Sequence, residues 1–380
     1  MISSTSSSAR ALALAAAALL VSCGHTQRDL SRPLRLLVLP PHDLSAAGAP
    51  LAEIRAKAEL AIARVGAEIV TGGIVDDFLA TRRTRHTGGI DVTIAADARD
   101  VLAADAVLVT TVGEWREQAP PAIQVTMRMV STDDDPRLLW IQGEAASGAD
   151  GVGLLGLGGT GKVEELLGPV LRRLRDGLRA SVNGPGRRAT TCPADARFEP
   201  QTAFRFPGLD LGRPRKVAVL PFETRTGRRA AGEVVALEVA RGLASIPMVK
   251  LVEPGVIRAT LLSGRFVMVE GLSLELGDVL MSNADVDLVV SGIVEEYDEA
   301  RPAIAFTVIV YDTRLRRVVW RSSSHHRGDD GVLFFEAGTV NGAGALACRM
   351  VAPLVRAIAR PPSSGRTLSS LADHARVALP

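Results

Sequence analysis

Aromatic residues make up only 4% of this 380-residue chain, histidine occurs six times and cysteine three times. So few aromatics leave little material for membrane-spanning hairpins, whose strands of roughly 9 to 11 residues carry aromatic girdles at their ends. The histidines (His25, His42, His86, His325, His326 and His374) are scattered without metal-ligand spacing. A formal net charge of +2 gives no polyelectrolyte-scale attraction to nucleic acid. Beyond the first residues no apolar run is long enough to cross a bilayer. What remains, 47% hydrophobic and 23% charged, is the composition of a globular protein.

The opening residues point to a membrane by another route. A short polar stretch containing Arg10 precedes an Ala- and Leu-rich run from Ala11 to Val21. At about 11 residues this run is a targeting segment, since a spanning helix needs roughly 20. It ends in Leu20, Val21, Ser22 and Cys23, which resemble the lipobox of bacterial lipoproteins. That resemblance implies cleavage before Cys23 and a lipid anchor on it, and several acyl chains hold a protein stably at a membrane. Gly24, in place of Asp, favours the outer membrane, facing the periplasm.

The remaining length suits two domains of roughly 150 to 180 residues, and the chain matches itself about 180 residues later. Leu34 to Pro41 aligns with Arg215 to Phe222, Ala104-Asp105 with Ala284-Asp285, and Trp140 with Trp320. Gly148, Asp150 and Gly151 align with Gly328, Asp330 and Gly331. An apolar stripe of Val163, Leu166, Leu167, Val170, Leu171, Leu174 and Leu178 aligns with Ala343, Leu346, Ala347, Met350, Val351, Leu354 and Ile358. Each stripe forms one helical face. The sequence therefore predicts an α/β protein with two tandem copies of a mixed-sheet unit. The divisions are a signal peptide over 1–22, a lipidated tether over 23–33, repeats over 34–180 and 215–360, a basic Pro/Gly linker over 181–214 and a tail over 361–380. Each repeat reads as strand, helix, strand, helix, three strands and a closing helix.

In the second repeat, Val217-Ala-Val-Leu-Pro-Phe-Glu-Thr-Arg-Thr-Gly227, Ala284-Asp-Val-Asp-Leu-Val-Val-Ser-Gly292 and Val318-Val-Trp320 resemble one superfamily. It holds the TolB amino-terminal domain, the curli-assembly transport lipoproteins and the lipoprotein activators of penicillin-binding proteins. The first repeat departs at Pro41, at His42-Asp-Leu-Ser and at Gly113, which comes one place late. The resemblance implies envelope work through protein contacts and transfers no catalytic residue.

Chemical motifs are few. Gly156-Leu-Gly-Gly-Thr-Gly-Lys162 matches a phosphate-binding loop up to its lysine. Val163 then replaces the magnesium-holding hydroxyl, and the segment precedes the closing helix instead of following a first strand. His325 and His326 are adjacent on a strand, so they point to opposite faces. Asp133 to Asp135 sit at a hairpin turn, where carboxylates favour turning. Ser322 to Ser324 lack a nucleophile-elbow frame, and Trp140 and Trp320 read as core. An oxidising envelope permits a bridge between Cys192 and Cys348, although Cys348 reads as a small buried hydrophobe.

The expected protein is thus a non-enzymatic envelope lipoprotein that binds other envelope proteins or copies of itself. Catalytic, cofactor and metal residues are expected to be none, with no nucleic-acid partner and no small-molecule substrate. The alternatives are a subunit of a curli-type outer-membrane secretion complex and, behind it, a nucleotide-binding enzyme built on Lys162.

Overall fold

The computed structural model describes residues 32–151, 158–184, 192–266, 274–332 and 338–360. The lipobox Leu20 to Cys23, Gly156 and the 361–380 tail lie outside them. Both repeats lie in one compact body that begins at Leu34.

In the first repeat, β1 (Arg35–Val38), β2 (His42–Asp43), α1 (Leu51–Ile62), β3 (Glu68–Val70), α2 (Gly73–Thr81) and α3 (Val92–Leu102) lead to three long strands. These are β4 (Ala106–Arg116), β5 (Ala122–Ser131) and β6 (Leu138–Ser147), and α4 (Val163–Asn183) closes the unit. A short 3-10 turn at Ala196–Phe198 and strand β7 (Thr202–Arg205) come next. The second repeat follows with β8 (Arg215–Val219), β9 (Glu223–Thr224), α5 (Ala231–Ala244), β10 (Val249–Leu251), α6 (Pro254–Ser263) and α7 (Leu274–Ala284). Its long strands are β11 (Leu288–Asp298), β12 (Ala303–Asp312) and β13 (Arg317–Arg327), and α8 (Ala343–Ala359) closes it.

The two sheets have one topology. Strand order is β3-β1-β4-β5-β6 in the first and β10-β8-β11-β12-β13-β7 in the second. The short apolar strands pair in parallel and the long ones antiparallel, so both sheets are mixed. The ladders slip at matching places, between Val112 and Glu114 and between Val294 and Glu296. A second slip follows Met129, the partner of Trp140, and Val310, the partner of Trp320. Bulges that recur at one place in both copies set the same local twist in each. Both tryptophans are core residues, 1% and 2% exposed.

Three details of the sequence alignment change. The counterpart of Asp105 is Asp287, not Asp285: Asp105 accepts from Arg35 N at 2.8 Å and Asp287 from Lys216 N at 2.9 Å. Thr132 Oγ1 donates to Ala104 O, and Thr313 Oγ1 to Val286 O, each at 2.7 Å. The counterpart of Gly292 is Thr110, and Gly113 sits at the bulge instead. The alignment drifts because the turns after β11 and β12 are shorter than those after β4 and β5. Two helices, not one, separate β3 from β4 and β10 from β11.

The segment read as a linker is built into the second unit. Phe198, Leu209 and Leu211 enter its core, β7 extends its sheet beside β13, and Arg205 Nη1 donates to Ile358 O at 2.6 Å.

Packing places the units in layers. All seven stripe residues of α4 are buried, and α4 and α1 cover one face of the first sheet while Glu53, Lys57, Leu60, Glu164 and Glu165 stay exposed. By contrast α5 is buried almost all round, including Glu238 and Arg241, and α8 buries Gly344, Pro353 and Val355 beyond its stripe. One face of α5 and α8 meets their own sheet, and the other meets the opposite face of the first sheet. The order is α1/α4, first sheet, α5/α8 with α2 and α3 beside them, and second sheet, with α6 and α7 on the outer face of that sheet over β8 and β11.

Candidate functional site

The seam between the first sheet and α5/α8 gathers the buried polar groups. On β5, Ile123, Val125, Met127 and Met129 point toward α1 and α4. Alternation turns Gln124, Thr126 and Arg128 the other way, yet these are only 2%, 4% and 1% exposed. A polar face is buried here because the second unit supplies its partners. Gln124 Nε2 donates to Glu238 Oε1 at 2.8 Å. Arg241 pairs with Glu238 and donates to Gly143 O and Cys192 Sγ. Arg228 donates to Gly113 O and pairs with Glu299 at 2.9 Å. Arg128 pairs with Glu253 at 3.3 Å and donates to Gly88 O. Glycines let the layers approach: a Cβ on Gly143 would lie 2.6 Å from Arg241 Nη1, and one on Gly344 would lie 2.5 Å from Gln124 Cδ.

Burial sets the charge state of the seam. Desolvation, reinforced by Glu299, pushes the Glu114 carboxyl up to about 7 against the pull of Arg116, Arg228 and the Gly344 amide. Glu238 is raised by burial as well, partly offset by Arg241 and Gln124. At one end of the seam a cavity of about 250 Å³ is lined by His42, His86, Arg128, Glu233, Leu237 and Arg258, among others. Desolvation, with Arg258, His42 and Arg128 adding to it, lowers the His86 pKa to about 4, and His42 is lowered by burial first. Both rings, in edge contact at 4.7 Å, are neutral at neutral pH.

Cys192 and Cys348 form a disulfide with Cα atoms 5.4 Å apart, at the rim of the seam. Glu238 lies close enough for the three to resemble a ligand set. Sulfurs bound to each other and an adjacent Arg241 guanidinium fit a cation badly.

The motifs singled out in the sequence are structural where they are described. Thr160 N donates to Gly148 O at 3.0 Å, and Val340 N makes the same bond to Gly328 O at 2.9 Å. Gly158 and Gly338 share a left-handed backbone, φ 98° and 90°. From Gly158 and Gly338 onward the two units enter their closing helices in the same way, with Lys162 exposed before α4. His325 is exposed and pairs with Glu296 at 3.1 Å, whereas His326 is buried against Asp330 and Glu199 O. Asp133, Asp134 and Asp135 each pair with a cation, Arg137, Arg99 and Lys216. Ser322 accepts from Trp320 Nε1, and Ser323 bonds Thr307.

No protein-family profile matches the chain, and no curated protein matches it in sequence. Similar solved structures include a PelC dodecamer from Paraburkholderia phytofirmans, 19% identical, covering 40% of this chain and 94% of that one with a TM-score of 0.27. Lipoprotein GNA1162 from Neisseria meningitidis is 16% identical over 38% of this chain and 99% of its own, TM-score 0.30. The hypothetical protein CT253 from Chlamydia trachomatis is 13% identical over 40% and 99%, TM-score 0.28. Likenesses of this size say nothing about what the chain binds.

Proposed function

We propose that the chain is a non-enzymatic lipoprotein of the bacterial cell envelope, tethered through Cys23 to the outer membrane on its periplasmic side, where it binds or assembles proteins. The observation that carries this reading is an asymmetry between two copies of one unit. The face of β4, β5 and β6 that is buried under α5 and α8 in the first unit has its counterpart on β11, β12 and β13, where Arg321 and His325 are exposed and Ile293, Ala305, Ile309 and Ser323 are partly so. A sheet face that is covered in one copy and open in the next is a surface for a protein, and the TolB-like pattern at Leu220-Pro-Phe222 implies work of that kind.

The test has two arms. Cys23→Ser should leave an unprocessed precursor that no longer takes up a palmitate analogue, and unchanged labelling would remove the anchor from the reading. A photo-crosslinking residue at Arg321 in intact cells should capture an envelope protein or the chain itself. Absence of any adduct there, with the protein folded and lipidated, would remove the binding surface.

A further inference from the structure

We infer that the open face of the second sheet receives helices α1 and α4 of a second copy of this chain, so that copies join head to tail. This rests on the assembly proposed for the chain and names its partner.

The layers carry the inference. Within one chain they run α1/α4, first sheet, α5/α8, second sheet, so one end presents helices and the other the part of a sheet that α6 and α7 leave uncovered, as α2 and α3 leave β5 and β6 for α5 and α8. The internal junction of first sheet to α5/α8 already shows how a sheet of this type accepts a helix pair of this type. Because the units share one strand order, the same operation places α1/α4 of the next copy on the second sheet. Such a contact joins two different surfaces and adds copies in one direction, to a ring or a filament depending on whether the rotation closes.

Counterparts across the repeat define the contact. The core residues Ile54, Ala58 and Ile62 of α1 correspond to Val235, Val239 and Leu243 of α5. Leu60 therefore stands where Arg241 stands, and Lys57 where Glu238 stands. On the sheet side the ladders make Ala305 the counterpart of Gln124, and Ser323 that of Gly143. Arg241 reaches Gly143 inside the chain, so Leu60 of one copy comes over Ser323 of the next.

The two surfaces exchange bulk: Glu164 stands where Gly344 stands, and opposite it the smaller Ala305 stands where Gln124 stands. Leu60 is 78% exposed in the middle of the helix face, and Phe204 on β7, paired with Arg321, is 51% exposed beside the sheet face. Both sides carry charges of both signs: Glu53, Lys57, Lys162, Glu164 and Glu165 are exposed on the helix side, and Arg321, His325 and Arg327 on the sheet side with Glu296 and Asp298 at its rim. The buried core of an interface is more apolar than the rest of a surface and enriched in aromatic residues, and Leu60 and Phe204 provide one such side chain at each end.

The experiment mixes two singly substituted full-length lipoproteins in detergent, Leu60→Cys and Ser323→Cys, under mild oxidation. A dimer band requiring both variants, with little from either alone, is the expected result. Disulfides formed within either single variant would show a two-fold contact and overturn the proposal, as would no crosslink in any mixture. Leu60→Asp should convert oligomers to monomers in sedimentation at concentrations where the parent chain is oligomeric, and should leave the thermal midpoint unchanged at dilutions where the parent is itself monomeric. Oligomers unaffected by Leu60→Asp would also count against it. A foreign envelope protein captured at Ser323, with no crosslink between copies, would overturn self-assembly while leaving the protein-binding reading standing.

Discussion

Arg128 on β5 and Glu253 at the start of α6 form an ion pair with side chains only 1% and 0% exposed, 3.3 Å apart. Neither unit could bury its own charge alone. Removing one partner leaves the other ionised out of water, and losses of about 3 to 5 kcal/mol follow in such cases. Glu253→Gln is expected to destabilise the folded body by that amount in urea titrations. Replacing both residues by apolar ones, Arg128→Met with Glu253→Leu, should cost less than Glu253→Gln alone. Equal midpoints for the parent and Glu253→Gln would show that the pair does not join the units.

Glu114 gives the seam a pH dependence of defined sign. Its carboxyl is raised to about 7 from an ordinary 4.5, by burial first and by Glu299 second. The native state therefore holds a proton that the unfolded chain releases at lower pH, so stability falls as pH rises between about 4.5 and 7 and levels off above. The full effect is about 3 kcal/mol at most. Glu114→Gln should remove this slope, raising the thermal midpoint relative to the parent at pH 8 and changing it little at pH 4.5. A difference of the same size at both values would exclude the titration.

Gly255 is the second residue of α6, and a Cβ there would fall 2.3 Å from Ile90 O and 2.4 Å from Ile90 N. Both are backbone atoms of the first unit, so a side chain at this point forces the units apart. In an ordinary helix Gly→Ala gains up to about 1 kcal/mol. Gly255→Ala is expected to reverse that sign and to lower the thermal midpoint, with faster amide exchange along Gly88 to Ile90. A rise in midpoint would mean the units do not press together there.

Much of this architecture was legible because an apolar stripe that recurs at helical spacing in both halves of the chain marks two copies of one buried helix face. The seven positions of α4 and the seven of α8 are all buried. The seam was not legible from β5, because Gln124, Thr126 and Arg128 alternate with apolar residues in the same way whether they face water or another unit. The useful signal lay in α5, which from Ala231 to Ala244 is apolar on nearly every side, and such a helix is buried on more than one face. Asp285 misled the alignment because it stands beside an Ala, as Asp105 does, while the residue that caps β8 is Asp287. The stretch before β8 looked like a linker because Pro, Gly and Arg hide its few core residues, Phe198, Leu209 and Leu211.

The disulfide between Cys192 and Cys348 is the remaining device that holds this body together, and Cys348 in particular reads from sequence as a mere hydrophobe. The bridge ties the start of the inter-unit segment to the middle of α8 across a sequence separation of 156 residues. Closing a loop of that size removes unfolded-state entropy worth about 5 kcal/mol in the chain-entropy picture, and measured gains usually fall below that figure. Cys348→Ser and Cys192→Ser should therefore lower the thermal midpoint by similar amounts, and the double variant should lose no more than either alone, since each single change already opens the loop. Reductant should lower the parent's midpoint toward theirs and leave the variants unmoved. Additive losses in the double variant, or a parent indifferent to reductant, would show that the cysteines stabilise by packing and not by their bond.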